Sequence, residues 1–289
     1  MSTISEVETR APAGALEPDP EVVAAPTLAG RSVRFLGRAA YKSAALALFF
    51  LLWEFGPNLL DSSTRVFLPP LHEDLQAWWT LLENGGLWSQ LSASLTRSAT
   101  GFGLAIGAAV PLGLVIAWYR PVADFLNPLL ELFRNTAALA LLPVFTLLLG
   151  IGETSKIAII AYASFFPVLL NTIAGVKTVD PLLVRAARTM GLSSPRMFQK
   201  VVLPAAVPTI FTGIRMAGAA SILVLIAAEM AGAKAGLGYL IINDQSSFLI
   251  PEMYAGILTI SVLGLVINGA LVRLESHFSR WRTGSAAVR

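Results

Sequence analysis

Residues Lys177–Ala206 read KTVDPLLVRAARTMGLSSPRMFQKVVLPAA, a polar island between two long apolar segments. Its basic residues Lys177, Arg185, Arg188, Arg196 and Lys200 face a single acid, Asp180. Charge at that density is too costly for the hydrocarbon core of a bilayer, so the stretch belongs on a membrane face. Asp180 followed by Pro181 is a helix start, because the carboxylate can cap free amides and proline tolerates the first helical position. Gly191 suits the stop, where a left-handed closing residue costs glycine little. Ser194 and Pro195 restart a second short helix, which Pro204 is expected to end or kink. The expectation is a helix, a turn and a second helix on a membrane face, where a partner docks.

Composition agrees with a membrane frame. The 289 residues are 55% hydrophobic and 13% charged, with a mean hydropathy of +0.68, whereas soluble domains carry roughly 25% charged residues. This composition predicts an all-α, polytopic membrane protein. The net charge of +3 is too small to suggest a nucleic-acid surface, so none is expected as a partner. The absence of cysteine excludes disulfides, thiolate metal sites and cysteine nucleophiles. With only His72 and His277, far apart in sequence, no metal site is expected.

Working outward from the island, residues 1–40 hold Pro12, Pro18, Pro20 and Pro26 among acids without an apolar period, as a disordered tail does. A cleaved signal peptide would place its apolar run closer to the start than Ser43. Six spans are expected within a membrane domain of residues 41–275, followed by a short tail of residues 276–289. The first runs from Ser43 to Leu60 and the second from Ser98 to Trp118, where Gly103 and Gly107 have the small-xxx-small spacing that lets helices approach closely. The third is poorly bounded: Thr136 to Ile151 is continuously apolar, and part of Phe125 to Phe133 is expected to lengthen it, with Glu131 and Arg134 offsetting one another. The last three are about Ile157 to Val176, Val207 to Met230 and Met253 to Val272. Pro111, Pro143 and Pro167 predict kinks.

Six crossings with both termini inside place most of the 21 Lys and Arg residues on the cytoplasmic side, the island's five among them. Arg65, Lys156 and Lys234 fall in outside connections, and Arg97 at a helix entrance. No G-x-x-x-x-G-K-[ST] phosphate loop is present, so the chain should not bind ATP by that route, and no Ser, His and Asp or paired-carboxylate constellation can be assembled. No enzyme and no cofactor are expected in this chain. Ionisable residues inside spans are expensive, which marks Glu54, Arg215 and Glu229 as internal polar contacts or translocation-path residues.

The island's spacing has a counterpart. Arg185-Ala186-Ala187, three residues, Gly191, nine residues, then Val201-Val202-Leu203-Pro204 resembles the EAA motif, E-A-A-x3-G-x9-I-x-L-P, of permease subunits in bacterial ATP-binding cassette importers. The flanking stretches GIGETSKIAIIAYASFFPVLLNTIAGVKTVDP and PTIFTGIRMAGAASILVLIAAEM with GLGYLI resemble the sulfonate, nitrate and taurine branch. The likeness covers roughly Trp53 to Arg273.

The resemblance implies a multi-pass protein of the bacterial inner membrane in which two permease subunits, here a homodimer, line the path. Cytoplasmic ATPases use ATP, and an extracytoplasmic binding protein delivers the cargo. The motif's short helix docks in the ATPase and transmits its motion. That role falls on Arg185, Ala186, Ala187, Met190, Gly191, Leu203 and Pro204, with Leu182 and Leu183 adding apolar surface and Met197, Phe198 and Val201 bracing the loop. Arg185 stands where the family has glutamate, so an acid-mediated contact does not carry over. Within the same family a pyrimidine or flavin precursor is an alternative cargo to a sulfonate, taurine or nitrate. A channel or secondary transporter would need pore charges or inverted repeats, and neither is found; a scaffold without transport also fits six helices.

Overall fold

The computed structural model describes residues 44–59, 61 and 65–279. Every regular element among them is helical. The chain divides into two units, Met1–Leu52 and Trp53–Arg289. The expected tail of residues 1–40 lies outside the described residues, and residues 44–52 of the first unit are helical. In chain order the helices are α1 (Ala44–Leu59, closing in a 3-10 turn), α2 (Leu71–Glu83), α3 (Gly86–Trp118), α4 (Arg120–Arg134), α5 (Leu142–Leu149), α6 (Glu153–Lys177), α7 (Pro181–Thr189), α8 (Ser194–Met197), α9 (Leu203–Met230), α10 (Leu237–Ser246) and α11 (Ile250–Ser279).

Four helical stretches among the described residues are long and apolar enough to cross a membrane: Gly86–Trp118, Glu153–Lys177, Ser194–Met230 and Ile250–Phe278. The third expected span is the main departure. It is two helical pieces, Arg120–Arg134 and Ala138–Leu149, bent by 86°. Side chains satisfy the carbonyls freed at the bend: Asn135 Nδ2 donates to Glu131 O (2.8 Å), Thr136 Oγ1 to Leu132 O (3.2 Å) and Tyr162 Oη to Phe133 O (2.9 Å). Pro143 lies in the first turn of α5, where its missing N–H is not needed. Counting the bent pair as one gives five spans, and α1 is apolar but shorter than the others. The last helix runs to Ser279, past the expected start of the tail at residue 276.

Helix α6 sits at the centre, packed against both α3 and α9. The α3 face that meets it is a stripe at four-residue spacing, Gly101, Ala105, Ala109 and Gly113, all buried. A Cβ at Gly101 would fall 2.9 Å from Ile157 O, and one at Gly113 would fall 2.8 Å from Thr172, so the backbones touch where side chains are smallest. Gly103 and Gly107, the pair expected from the sequence, have nothing within 4 Å of a Cβ. They lie on the other side of α3, since residues two apart on a helix do not share a face. The small-residue stripe is real but its register is shifted. Around it Ile116, Val168, Leu169 and Ala217 complete the main core.

Two helices between spans were not foreseen. Helix α2 packs on α11 through Trp78, whose indole N–H donates to Thr259 Oγ1 (3.0 Å), and α10 adds Leu237 and Leu240 to the same cluster. Asp74 of α2 is fully buried, and that burial pushes its carboxyl up to about 7, with Trp53 opposing the shift.

Candidate functional site

The island folds as a hairpin held by its own backbone. Asp180 caps α7 by accepting the Leu182 N–H (2.8 Å), and Pro181 occupies the first turn. The helix closes at Gly191 (φ 73°), where the Leu192 N–H donates to Ala187 O and the Gly191 N–H to Arg188 O. That paired closure is a Schellman motif, and it needs a left-handed residue at position 191. Pro204 does not end the second helix. Phe198–Val202 forms a π turn, and Ser194 to Met230 continues as one stretch. A widened turn accommodates the amide that proline lacks and its clash with the preceding carbonyl. Leu203 and Pro204 thus open α9, with Pro204 in its first turn.

Packing sorts the motif residues into two faces. Val184, Phe198, Val202 and Val179 pack with Val176, Ala206 and Ile210, and Phe198 meets Trp118 edge-on at 4.7 Å between ring centroids. Met197 is buried as a brace, and Val202 is more deeply buried than Val201. Ala187, expected on the docking surface, is 1% exposed and faces inward. Leu182, Leu183, Ala186 and Met190 face outward; the three large side chains are 65%, 50% and 70% exposed. Residues 182, 186 and 190 are spaced by four and form one apolar ridge. Arg185 and Arg188 flank it, both exposed and without an ion pair among the described residues. The ridge therefore suits an apolar groove with acids at its rim.

At the opposite end of the long helices lies a charged network, of which the sequence singled out Glu229 alone. Arg97 is not at a helix entrance; it lies inside α3 and is 4% exposed. Its guanidinium engages Glu153 in a fork, Nε to Oε2 and Nη2 to Oε1 (2.7 Å), while Nη1 donates to Glu229 Oε1 (2.7 Å) and Ala235 O (2.6 Å). Glu229 is fully buried and also accepts from Ser94 Oγ (2.9 Å) and the Gly238 N–H (2.9 Å). Ser94 Oγ in turn accepts the Leu237 N–H, and Gln90 Oε1 the Gly236 N–H. The network ties α3, α6, α9 and the start of α10 together, and a Cβ at Gly236 would overlap the Glu229 carboxylate. Lys156, expected in a connecting loop, is buried in α6 with Nζ donating to Gly152 O (3.0 Å). Two cations and two anions thus balance at one end of the bundle, Arg97, Lys156 and Glu229 buried and Glu153 exposed at its edge.

The remaining path candidates also have partners within the chain. Glu54 pairs with His72 Nδ1 (2.7 Å) and accepts the His72 backbone N–H. Arg215 pairs with Glu275 (2.9 Å), linking α9 to α11. A cavity of about 660 Å³ opens elsewhere, at the bend after α4, lined by Arg134, Thr136, Tyr162, Asn171, Met216 and apolar neighbours. None of Glu54, Arg215 and Glu229 lines it. Tyr162 Oη and Asn171 Nδ2 already donate to Phe133 O and Pro167 O, so the Arg134 guanidinium and the second Asn171 amide hydrogen are the donors there that can meet an anion.

Residues 109–281 match the family described as binding-protein-dependent transport system inner membrane component. The chain belongs to that family. The permease is 34% identical to a probable ABC transporter permease of Brucella abortus over 227 residues, 78% of this chain and 91% of that one. It is 33% identical to the taurine transport system permease of Escherichia coli over 241 residues (82% and 87% of the two chains). It is 32% identical to the nitrate import permease of Synechocystis over 241 residues (80% and 86%). Its fold is that of solved importers: an inward-facing methionine ABC transporter at a TM-score of 0.57 and 18% identity (66% of this chain, 95% of the other), and an amino acid ABC transporter at 0.54 and 20% (70% and 97%). This permease is an ABC importer subunit and not an enzyme, and it works with a binding protein and an ATPase.

Proposed function

We propose that the permease carries a small oxyanion of the sulfonate, taurine or nitrate type, with two copies of the chain lining the path. One observation carries the assignment. Relatives named for taurine, aliphatic sulfonates and nitrate, the sulfonate one from Bacillus subtilis, each align with 80% or more of the chain. These cargoes share an anionic group of oxygens around one central atom. The bend cavity, with Arg134 at its rim and Asn171 in its wall, supports an anion route separate from Glu54, Arg215 and Glu229. The positive-inside bias supports a cytoplasmic α7–α8 hairpin and cytoplasmic termini. The ATPase then docks on the ridge of Leu182, Leu183, Ala186 and Met190, with Gly191, Leu203 and Pro204 fixing the hairpin and Arg185 at its rim. ATP is consumed by that partner, and the binding protein delivers on the other side.

Uptake into proteoliposomes holding the permease with its co-purified ATPase and binding protein tests this. Labelled taurine, an alkanesulfonate and nitrate are offered separately, with and without ATP. ATP-dependent accumulation of at least one is expected. Accumulation of a labelled pyrimidine or flavin precursor with none of the three would overturn the substrate class.

A further inference from the structure

Arg134 stands at mid-membrane depth. Its neighbour Phe133 accepts a hydrogen bond from Tyr162 (2.9 Å), and Tyr162 lies inside α6, about 13 Å from the start of that helix by the helical rise per residue. On the facing wall of the bend cavity, Met216 and Ala220 fall in the middle of α9. A cation at such a depth is costly unless it faces the bundle interior or a water-filled cavity, and Arg134 lines the cavity. Its ion pair is loose: Nη2 stands 3.4 Å from Glu131 Oε1, long for a charged pair, and Glu131 is itself 71% exposed. Glu131 is the one partner of the guanidinium among the described residues, so most of its N–H donors are left for an anion.

The rest of the wall is largely apolar. Leu139, Ala163, Phe166, Leu170, Met216 and Leu223 line it, and among the described residues no aspartate or glutamate does. Its volume of about 660 Å³ is that of an ordinary small-molecule pocket. Nitrate would leave that wall uncovered, and the ammonium of taurine would meet no carboxylate. A sulfonate on an aliphatic chain suits both parts of the cavity, its oxygens on the guanidinium and its chain on the wall, where the flexible Met216 adapts to chains of different length. We propose that the bend cavity selects a singly charged anion with an aliphatic chain, an alkanesulfonate, and that Arg134 is the residue that holds its charge. This choice rests on the oxyanion reading above and decides among its three cargoes.

Uptake into proteoliposomes, with one binding protein throughout, reads the permease's own share of selection, because the binding protein's preference cancels between variants. Labelled hexanesulfonate, methanesulfonate, taurine and nitrate are offered separately. The wild type is expected to take up both alkanesulfonates. Arg134→Gln should cut their uptake about tenfold or more at equal protein in the membrane, and Arg134→Lys should restore most of it, since the charge returns. Met216→Ser/Leu223→Ser, at two exposed wall positions, should lower the ratio of hexanesulfonate to methanesulfonate uptake about threefold or more. Wild-type rates in Arg134→Gln, or an unchanged ratio in the double variant, would overturn the inference. Uptake of nitrate or taurine without either alkanesulfonate would overturn it as well and leave the oxyanion reading standing; uptake of none of them would remove that reading and the inference with it.

Discussion

Replacing Gly191 by valine is expected to cut ATP-dependent uptake by about tenfold or more while leaving the permease inserted and folded. Position 191 sits at φ 73°, and a Cβ there would meet nothing within 4 Å. The cost is therefore conformational and not steric: a left-handed residue other than glycine costs roughly 1–2 kcal/mol, more when β-branched. About 1.4 kcal/mol shifts an equilibrium tenfold. The strain is relieved by opening the hairpin turn, which breaks the Leu192 and Gly191 hydrogen bonds that close α7 and re-aims Met190. The core beneath, Val176, Val202, Ala206 and Ile210, does not depend on that turn. Gly191→Asn, which tolerates the left-handed region, should retain most of the uptake. Uptake by the valine variant at the wild-type rate, with equal amounts of protein in the membrane, would remove the hairpin from coupling.

Arg97→Ala is expected to destabilise the fold severely, with a large drop in melting temperature and yield. It leaves Glu229, fully buried, and Glu153 without their cation. Breaking a buried ion pair by removing one partner costs about 3–5 kcal/mol, against a total stability of about 5–15 kcal/mol. Arg97→Lys should be only a partial substitute, because an ammonium cannot span the Glu153 fork and reach Glu229 and Ala235 together. Adding Glu229→Gln to Arg97→Ala should recover part of the loss, since the orphaned charge goes with it. Glu229→Gln alone should lower the melting temperature yet leave substrate preference unchanged, as suits a contact inside the protein. Thermal unfolding and monodisperse yield read the first three variants, and uptake kinetics the fourth. Wild-type yield and melting temperature for Arg97→Ala would contradict this account of the network.

What was legible in the sequence followed local rules. Asp180, Pro181 and Gly191 bound α7 as their backbone chemistry dictates, because caps and turns depend on neighbours in the chain. The limits of the long spans were harder to read. Ser89 to Thr100 is rich in serine and threonine, which places the start of the span at Ser98 when read locally; Ser92, Thr96 and Thr100 instead return their hydroxyls to the helix's own carbonyls, which satisfies them on the helix's exposed side. Arg97 was thereby assigned to the wrong environment. Its partners Glu153 and Glu229 are 56 and 132 residues away, and nothing local brings them together. The register of the glycine stripe and the bend at Asn135 depended on α6 in the same way. Gly101 and Gly113 differ from Gly103 and Gly107 only in which neighbour they face. Tyr162 and Asn171, polar residues in an apolar helix, were the available signal for the cavity at the bend.

The central claim is that the outward ridge of α7 meets the ATPase, and the chain's lack of cysteine allows a direct test. A single Met190→Cys places one thiol on the ridge, and Ala187→Cys places one on its buried face. In the assembled complex, a short photoactivatable crosslinker on the thiol should join Met190→Cys to the ATPase, with a yield that changes when nucleotide binds, and should leave Ala187→Cys unjoined. An uptake-competent Met190→Cys complex that gives no ATPase adduct with or without nucleotide would contradict the account.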